Sequence, residues 1–384
     1  VKIGISLSLT GGGSANHIPM FNGALDYVSE LNERGGIEFV NPETGATEYA
    51  TIDVLWADDN YKLDRNIANY RRFVEEGIVC HYLGYSSADL ALKPEFKKDK
   101  VPGWHDAGPA EAVMPPREWF YITAPSYSDM FGGFVNWLAD NWTEERPARV
   151  GQMAWPVPFG KATSTKQCLD FVRSKGFEVI PTVYYAYGAM DVTPELTRLA
   201  EAEADFVYLQ TTVDSAAIIM NNAYNLGLTD KIKFVLGPTA WLEPIVEMAP
   251  EGVEGCMAVM FVAPINVDVP AMKQMKAASE KHGHEEYFNS YYGLGWVHTD
   301  AECEAIRLAL NAKGYPITGA DMKFDGLDKL RNYDNGGLSG IIDTSDSDDC
   351  ALCHAAAISQ IIGGNIVPAV TWIPTPFLRE PAME

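Results

Sequence analysis

The sequence predicts two α/β lobes, each a doubly wound parallel sheet with helices on both faces, joined by a three-segment hinge. Three observations carry this. Strand-like and helix-like segments alternate up to about residue 250, which implies a parallel sheet covered on both sides. The alternation starts afresh at Arg149, so there are two such series. The chain has 384 residues, too many for one ordinary core and suited to two domains of usual size.

The first series opens with an expected strand at residues 2–9 and a helix at 18–34. In that helix Phe21, Ala24, Leu25, Val28 and Leu31 recur at three- and four-residue spacing, which puts them on one face. Gly35-Gly36 ends it, because glycine accepts the left-handed C-terminal cap. Further strands are expected at 51–57, 78–84, 101–105 and 119–122, with helices at 64–76 and from Ser87. The second series has strands at 149–154, 177–185, 205–210 and 233–236, and helices at 161–175, 194–203 and 215–226. Beyond residue 250, one strand (255–262), two helices (269–282 and 299–313) and a glycine-rich tail are too little for a third lobe. Divided between the two lobes, they give lobe 1 as 1–122 plus 251–335 and lobe 2 as 123–250 plus 336–384. Multiple crossings make a hinge. Ligands of such sheets bind beyond the carboxyl ends of the strands, here in a cleft between the lobes.

With 52 acidic against 29 basic residues the net charge is −23, which makes nucleic acid and anionic lipid poor partners. No run approaches the roughly 18 apolar residues of a membrane helix. Val1 already opens a strand pattern, as expected of a mature chain whose leader has been removed.

Enzyme chemistry finds no foothold. There is no G-x-S-x-G elbow and no H-E-x-x-H, and the histidines form no spaced metal set. Gly11-Gly12-Gly13 lacks the dinucleotide spacing and the P-loop lysine, and reads as a strand-to-helix loop; Gly293-Leu294-Gly295 is equally weak. His282-Gly283-His284 reads as a solvated helix end. Cys350-Ala351-Leu352-Cys353-His354 spells the haem c attachment pattern, but no partnering motif supports it. A local Cys350–Cys353 disulfide in an oxidising compartment is the favoured reading, with free thiols and haem as alternatives. The acidic run Asp343, Asp346, Asp348, Asp349 lacks the glycine and glutamate of an EF loop and reads as solvated. No cofactor and no metal are expected.

The strongest constellation is Phe21-Asn22-Gly23-Ala24, then Leu31-Asn32-Glu33-Arg34-Gly35-Gly36-Ile37, then Ala57-Asp58-Asp59. Gly84-Tyr85-Ser86-Ser87, Asp205-Phe206-Val207-Tyr208 and Gly237-Pro238 follow in order. In these motifs and their spacing the chain resembles the periplasmic branched-chain amino-acid binding proteins, the type I solute receptors of ABC importers, over nearly its whole length. The resemblance implies capture of a small organic solute by lobe closure and delivery to a membrane permease. It also implies a monomer located in the periplasm or outside the cell, lipid-anchored if Gram-positive-like. The solute class is a branched-chain or other amino acid, or an aromatic or branched carboxylate or amide. A sensory receptor of the same fold is the alternative, and a doubly wound enzyme a more distant one.

The resemblance implies that the ligand's carboxylate is held by Tyr85, Ser86 and Ser87 and by the loop Trp104, His105, Asp106, Ala107 and Gly108. The physics agrees, since Ser87 lies at a helix start, whose free N–H groups and positive dipole end favour an anion; simple capping by the serines is the bland alternative. Asn16, Trp155, Phe159, Thr211, Thr239 and Trp241 complete the expected ligand set, whose aromatic members suit an aromatic, apolar or cationic ligand. Where the family has a glutamate for the ligand's ammonium, this sequence has Thr239. Either Asp106, Asp214 or Glu243 substitutes, or the ligand is not an α-amino acid.

Overall fold

The computed structural model describes residues 1–345 and 348–379. The chain divides into two compact units: residues 1–108, 112–124 and 267–353 form unit 1, and 109–111, 125–266 and 354–384 form unit 2. The division after the first series falls within two residues of the expected boundary. The later boundaries expected at 251 and 336 fall instead at 267 and 354. Strand pairing explains both shifts. The strand Met257–Met260 pairs within the unit 2 sheet. Residues 350–352 pair with the last strand of the unit 1 sheet, where Ile122 bridges Ala351.

The strands of unit 1 are β1 (Lys2–Leu7), β2 (Ile37–Val40), β3 (Thr47–Ala50), β4 (Asp53–Asp58), β5 (His81–Leu83), β6 (Gly103–His105) and β7 (Phe120–Ile122). Five form a sheet in the order β4-β1-β5-β6-β7, parallel throughout, and β2 and β3 make a separate antiparallel hairpin that was not expected. β5, β6 and β7 are buried on both faces, as continuous strands of a covered parallel sheet are.

Helices Ser14–Glu33 and Ser290–Lys313 cross at two glycines. A Cβ on Gly23 would lie 2.1 Å from the Tyr292 carbonyl oxygen, and one on Gly295 would lie 1.8 Å from that of Met20. Any side chain there would force the backbones apart. Helix Ser290–Lys313 begins nine residues before the expected Thr299, because the Asn289 side chain caps it by accepting from the Tyr291 and Tyr292 N–H groups.

This second helix carries polar side chains into the core of unit 1. His298 stacks on Tyr82 with ring centroids 3.7 Å apart and meets Trp104 edge-on at 4.9 Å. Glu302 is buried, with the Cys80 thiol as its polar neighbour. His81 lies among Tyr70, Phe73 and Phe96, and neither of its ring nitrogens has a hydrogen-bond partner among the described residues.

The strands of unit 2 are β8 (Arg149–Ala154), β9 (Glu178–Val179), β10 (Val183–Tyr184), β11 (Phe206–Gln210), β12 (Lys233–Leu236), β13 (Met257–Met260), β14 (Ala355–Ile362) and β15 (Asn365–Pro374). Their order is β10-β8-β11-β12-β13-β14-β15, with β9 also pairing β8. The segment expected as one strand at 177–185 is thus two short ones. β14 and β15 pair antiparallel, so the glycine-rich tail is in fact a hairpin. Helix Tyr127–Asn141, also unexpected, is capped by Ser126, whose hydroxyl accepts from the Asp129 N–H. The buried Asp129 carboxylate pairs with Arg379 and accepts the Leu378 N–H at 2.7 Å, which fastens the C-terminal segment to this helix.

The expected Cys350–Cys353 disulfide is not formed, and none of the six cysteines is bonded to another. Ile122 N–H donates to the Cys350 carbonyl, and Leu352 N–H donates to the Ile122 carbonyl. Those bonds fasten residues 350–352 to the edge of β7. Cys350 Sγ instead accepts the Glu118 N–H at 3.1 Å, and burial pushes its thiol pKa up to about 12. Of the acidic run, Asp343 accepts backbone N–H groups from Asn332 and Ser345. Asp346 lies outside the described residues.

Two outcomes follow. Alkylation of denatured, non-reduced protein is expected to label all six cysteines; a mass short by two labels would restore the local disulfide. The second concerns pH. Burial lifts the Glu302 pKa to about 8 from 4.5. The stability contributed by its bound proton is present below 4.5 and lost as pH rises towards 8. Burial also depresses His81 to about 3 from 6.5, which removes stability as pH falls below 6.5. Each slope is about 1.4 kcal/mol per pH unit. Glu302→Gln should therefore gain on wild type steadily between pH 5 and 8 in urea titrations. A difference that does not change with pH would show that Glu302 is ionised throughout.

Candidate functional site

The polar ends of the unit 1 strands carry most of the expected residues. Helix Ser86–Asp99 follows β5 directly, with Tyr85 as its N-cap residue and no side chain capping it. The capping alternative for Ser86 and Ser87 therefore does not apply. Among the described residues neither serine hydroxyl nor either serine N–H makes a hydrogen bond, while the Ala88 and Asp89 N–H groups donate to the Tyr85 carbonyl. The preceding Gly84 has to be glycine, since a Cβ there would lie 2.7 Å from Leu7 and 2.9 Å from His17 Nε2. The Tyr85 ring lies 4.5 Å from that of Tyr61.

β6 delivers His105 and Asp106. His105 Nδ1 lies 3.0 Å from both oxygens of Asp89, on the helix beside it, and Nε2 lies 3.1 Å from Asp106 Oδ1. All three side chains are buried. Burial opposes a charge on His105, but the two carboxylates outweigh it and push its pKa well above the usual imidazole range. The result is an imidazolium held between two carboxylates. Burial in turn raises the Asp89 pKa, against the pull of His105. Gly108 packs close by, where a Cβ would lie 3.3 Å from Asp89 Oδ2.

Trp104 does not join this group. Successive residues of a strand face opposite sides. Gly103 and His105 face helix Ser86–Asp99, where Phe96 leaves no room for a Cβ on Gly103. Trp104 faces the other way, fully buried against Tyr121 and His298. Asn16 is also engaged within unit 1, where its Nδ2 donates to the Tyr291 hydroxyl at 2.5 Å.

In unit 2, Trp155 follows β8 and meets Tyr187, Phe159 and Tyr185 at ring centroid distances of 4.8, 6.1 and 6.2 Å. Thr211 follows β11, and its Oγ1 lies 2.5 Å from the Tyr185 hydroxyl. Thr239 Oγ1 donates to the Thr211 carbonyl at 2.8 Å, which ties the β11 and β12 loops together. Trp241 is fully buried and its Nε1 has no partner among the described residues.

A family model described as periplasmic binding protein matches residues 1–365. The chain belongs to the periplasmic binding protein family. No curated protein matches it in sequence. Among solved structures it is similar to a branched chain amino acid ABC transporter protein from Thermus thermophilus with bound valine, at 23% identity and TM-score 0.84, covering 97% of this chain and 96% of that one. It is similar to a fatty acid ABC transporter substrate-binding protein from Thermomonospora curvata, at 19% identity and TM-score 0.83, covering 100% and 96%. A third is a solute binding protein of an ABC transporter from Rhodopseudomonas palustris HaA2 in complex with p-hydroxybenzoic acid, at 13% identity and TM-score 0.77, covering 99% and 98%. These likenesses establish the type I fold with two α/β lobes.

For a periplasmic binding protein, a solute-binding and not an enzymatic family, three acids bear on the missing glutamate at Thr239. Asp106 is already paired with His105. Glu243 Oε1 accepts the Ile265 N–H at 3.2 Å. Asp214 is exposed, in the first turn of helix Val213–Asn225.

Sequence reasoning missed three features of these strand ends. One is the network in which Ser8 Oγ donates to Asp59 Oδ1 at 2.5 Å while the Ser8 N–H donates to His17 Nδ1 at 3.0 Å. The others are Tyr185 and Gln210. Gln210 is fully buried, and neither atom of its amide has a partner among the described residues. A polar residue closing the apolar run Phe206-Val207-Tyr208-Leu209 was the available clue.

His105→Gln would leave two buried carboxylates without their cation. The expected destabilisation is about 3–5 kcal/mol at pH 7, the cost of breaking a buried pair. Part should be recovered at pH 5, as Asp89, whose pKa burial already raises, takes up a proton. Equal losses at both pH values in chemical unfolding would show that packing, and not charge, is what His105 supplies.

Proposed function

We propose that the chain is the extracytoplasmic solute-binding component of an ABC importer, working as a monomer with a membrane permease. In this reading it takes up a small organic solute, with lobe closure as the capture step, and binds a carboxylate or amide oxygen at Ser86 and Ser87. The observation that carries the reading is the uncapped start of helix Ser86–Asp99, where two consecutive N–H groups stand without acceptors. Such a helix start favours an oxygen acceptor through its donors and its dipole. The solutes named for the similar structures (valine, a fatty acid and p-hydroxybenzoic acid) each carry a carboxyl group, which supports an acceptor head. Among the described residues no helix is long and apolar enough to cross a membrane, so membrane delivery falls to the partner.

The test removes one donor without disturbing the helix. Ser86 is the first helical residue, where proline is tolerated, and Tyr85 already has the extended backbone that a following proline requires (φ −138°, ψ 108°). Native mass spectrometry first identifies the solute carried through purification. Ser86→Pro should then weaken its binding by roughly tenfold while the unliganded melting temperature stays near wild type. Unchanged affinity in a normally folded variant would remove this helix start from the site.

A further inference from the structure

We propose that Gln210 of unit 2 receives an uncharged carboxamide, lactam or ureide group of the solute. The inference rests on the solute-binding reading above and adds to it the chemical class of the group that unit 2 takes.

Gln210 is the last residue of β11 and is 0% exposed, yet neither its Oε1 nor its Nε2 has a hydrogen-bond partner among the described residues. A buried amide so placed forfeits its bonds to water, and folded chains rarely leave one in that condition. The same sheet supplies the contrast. Gln152 of β8 lies opposite Tyr208, two residues before Gln210, so both glutamines are on one face. Gln152 is buried too, but its Nε2 donates to the Thr163 carbonyl at 2.9 Å and its Oε1 accepts the Thr163 hydroxyl at 2.8 Å. The fold satisfies the amide inside the sheet and leaves open the one at the strand end, where parallel sheets of this kind bind their ligands.

The neighbouring strands give that amide room. Ala154 of β8 stands opposite Gln210 on one side. Gly237, directly after β12, flanks it on the other, where a Cβ would lie 3.2 Å from Gln210 Oε1. On the two adjacent strands nothing larger than a methyl group stands beside it. The residues that continue the three strands, Trp155, Thr211 and Pro238, are uncharged.

A glutamine amide presents a donor and an acceptor side by side. A carboxylate would take the Nε2 hydrogens and set its charge against Oε1. An ammonium would satisfy Oε1 and leave Nε2 without an acceptor. Either ion would also lose its hydration to a neutral partner that repays little of it. A carboxamide, lactam or ureide offers an N–H to Oε1 and a C=O to Nε2, with no charge to desolvate.

The probes share one ring and one carboxylate head: 4-carbamoylbenzoate, terephthalate, 4-(aminomethyl)benzoate and 4-methylbenzoate, titrated calorimetrically into the full chain near neutral pH. The carbamoyl compound should bind at least about tenfold more tightly than the other three. Gln210→Met keeps the length of the side chain and removes both polar atoms. It should erase that preference while raising the melting temperature of the unliganded protein by about 2–4 °C, because an unsatisfied amide has gone. Gln152→Met, which breaks a satisfied amide, should lower it. A melting temperature that falls in Gln210→Met as well overturns the inference, since Gln210 would then be satisfied within the fold. Equal or tighter binding of any of the other three probes to wild type overturns it too and leaves the acceptor reading of Ser86 and Ser87 standing. Failure of all four to bind overturns the inference, while Ser86→Pro tested on the copurified solute decides that reading separately.

Discussion

The close crossing of two helices at Gly23 and Gly295 is the constraint on which unit 1 depends. With carbonyl oxygens where two β-carbons would otherwise be, the backbones of Ser14–Glu33 and Ser290–Lys313 approach as only glycine allows. The second helix belongs to the last part of the chain to join the unit, yet it supplies much of the packing against the central strands. Its Tyr292 hydroxyl donates to the buried Asp26 at 2.7 Å. Further along, His298 lies against Tyr82 of β5 and Trp104 of β6. The strand tips that present Ser86 and Asp106 are therefore backed by a helix whose position two hydrogen atoms determine.

On the opposite face of the same strands a second constraint acts, electrostatic and not steric. His105 and Asp89 bind β6 to helix Ser86–Asp99 inside a space where an unpaired charge is costly. The pair holds the helix start in register with the Asp106 loop. Phe96 filling the space beside Gly103 does the same by packing about two turns later. Burial thus serves geometry twice: it strengthens the ion pair, and it makes any displacement of the helix expose a charge.

How far the sequence disclosed this can be argued element by element. The parallel strands and most helices of the two series were legible because apolar periodicity survives in a covered sheet. Three elements were hidden by glycine. Gly132 and Gly133 sit inside helix Tyr127–Asn141, where a Cβ on Gly132 would lie 2.4 Å from Pro376, so close packing outweighs helix propensity. Gly363-Gly364, with φ of 57° and 73°, forms the two-residue turn between β14 and β15 and had read as part of a loose tail. The first turns of helix Ser290–Lys313 carry Gly293 and Gly295 among aromatics, a composition unlike a helix on its own. Tyr85 to Ser87 and His105 to Gly108 were singled out through the family resemblance, and the structure places them at the ends of β5 and β6. The Asp89–His105 pair was not, since nothing in a single sequence links residues 16 apart on different elements. Trp104 was misplaced because alternation along a three-residue strand is too short to read.

The loop ends of unit 2 around Thr239 carry neutral polar groups. Thr239 spends its hydroxyl on the Thr211 carbonyl, and Thr211 in turn meets the Tyr185 hydroxyl. Gln210 brings a buried amide to the end of β11, close enough to Gly237 that a Cβ there would lie 3.2 Å from its Oε1. Gly237 is further held to glycine by the Leu209 carbonyl, 2.6 Å from that Cβ. An amide and two hydroxyls satisfy a polar but uncharged group at a fraction of the desolvation cost an ion imposes, and they gain little from an ion in return. In unit 1, by contrast, His105 offsets one of the two negative charges that Asp89 and Asp106 bring. The polar groups at the unit 2 strand ends are thus dipoles, while the corresponding corner of unit 1 keeps one carboxylate charge beyond the one that His105 offsets.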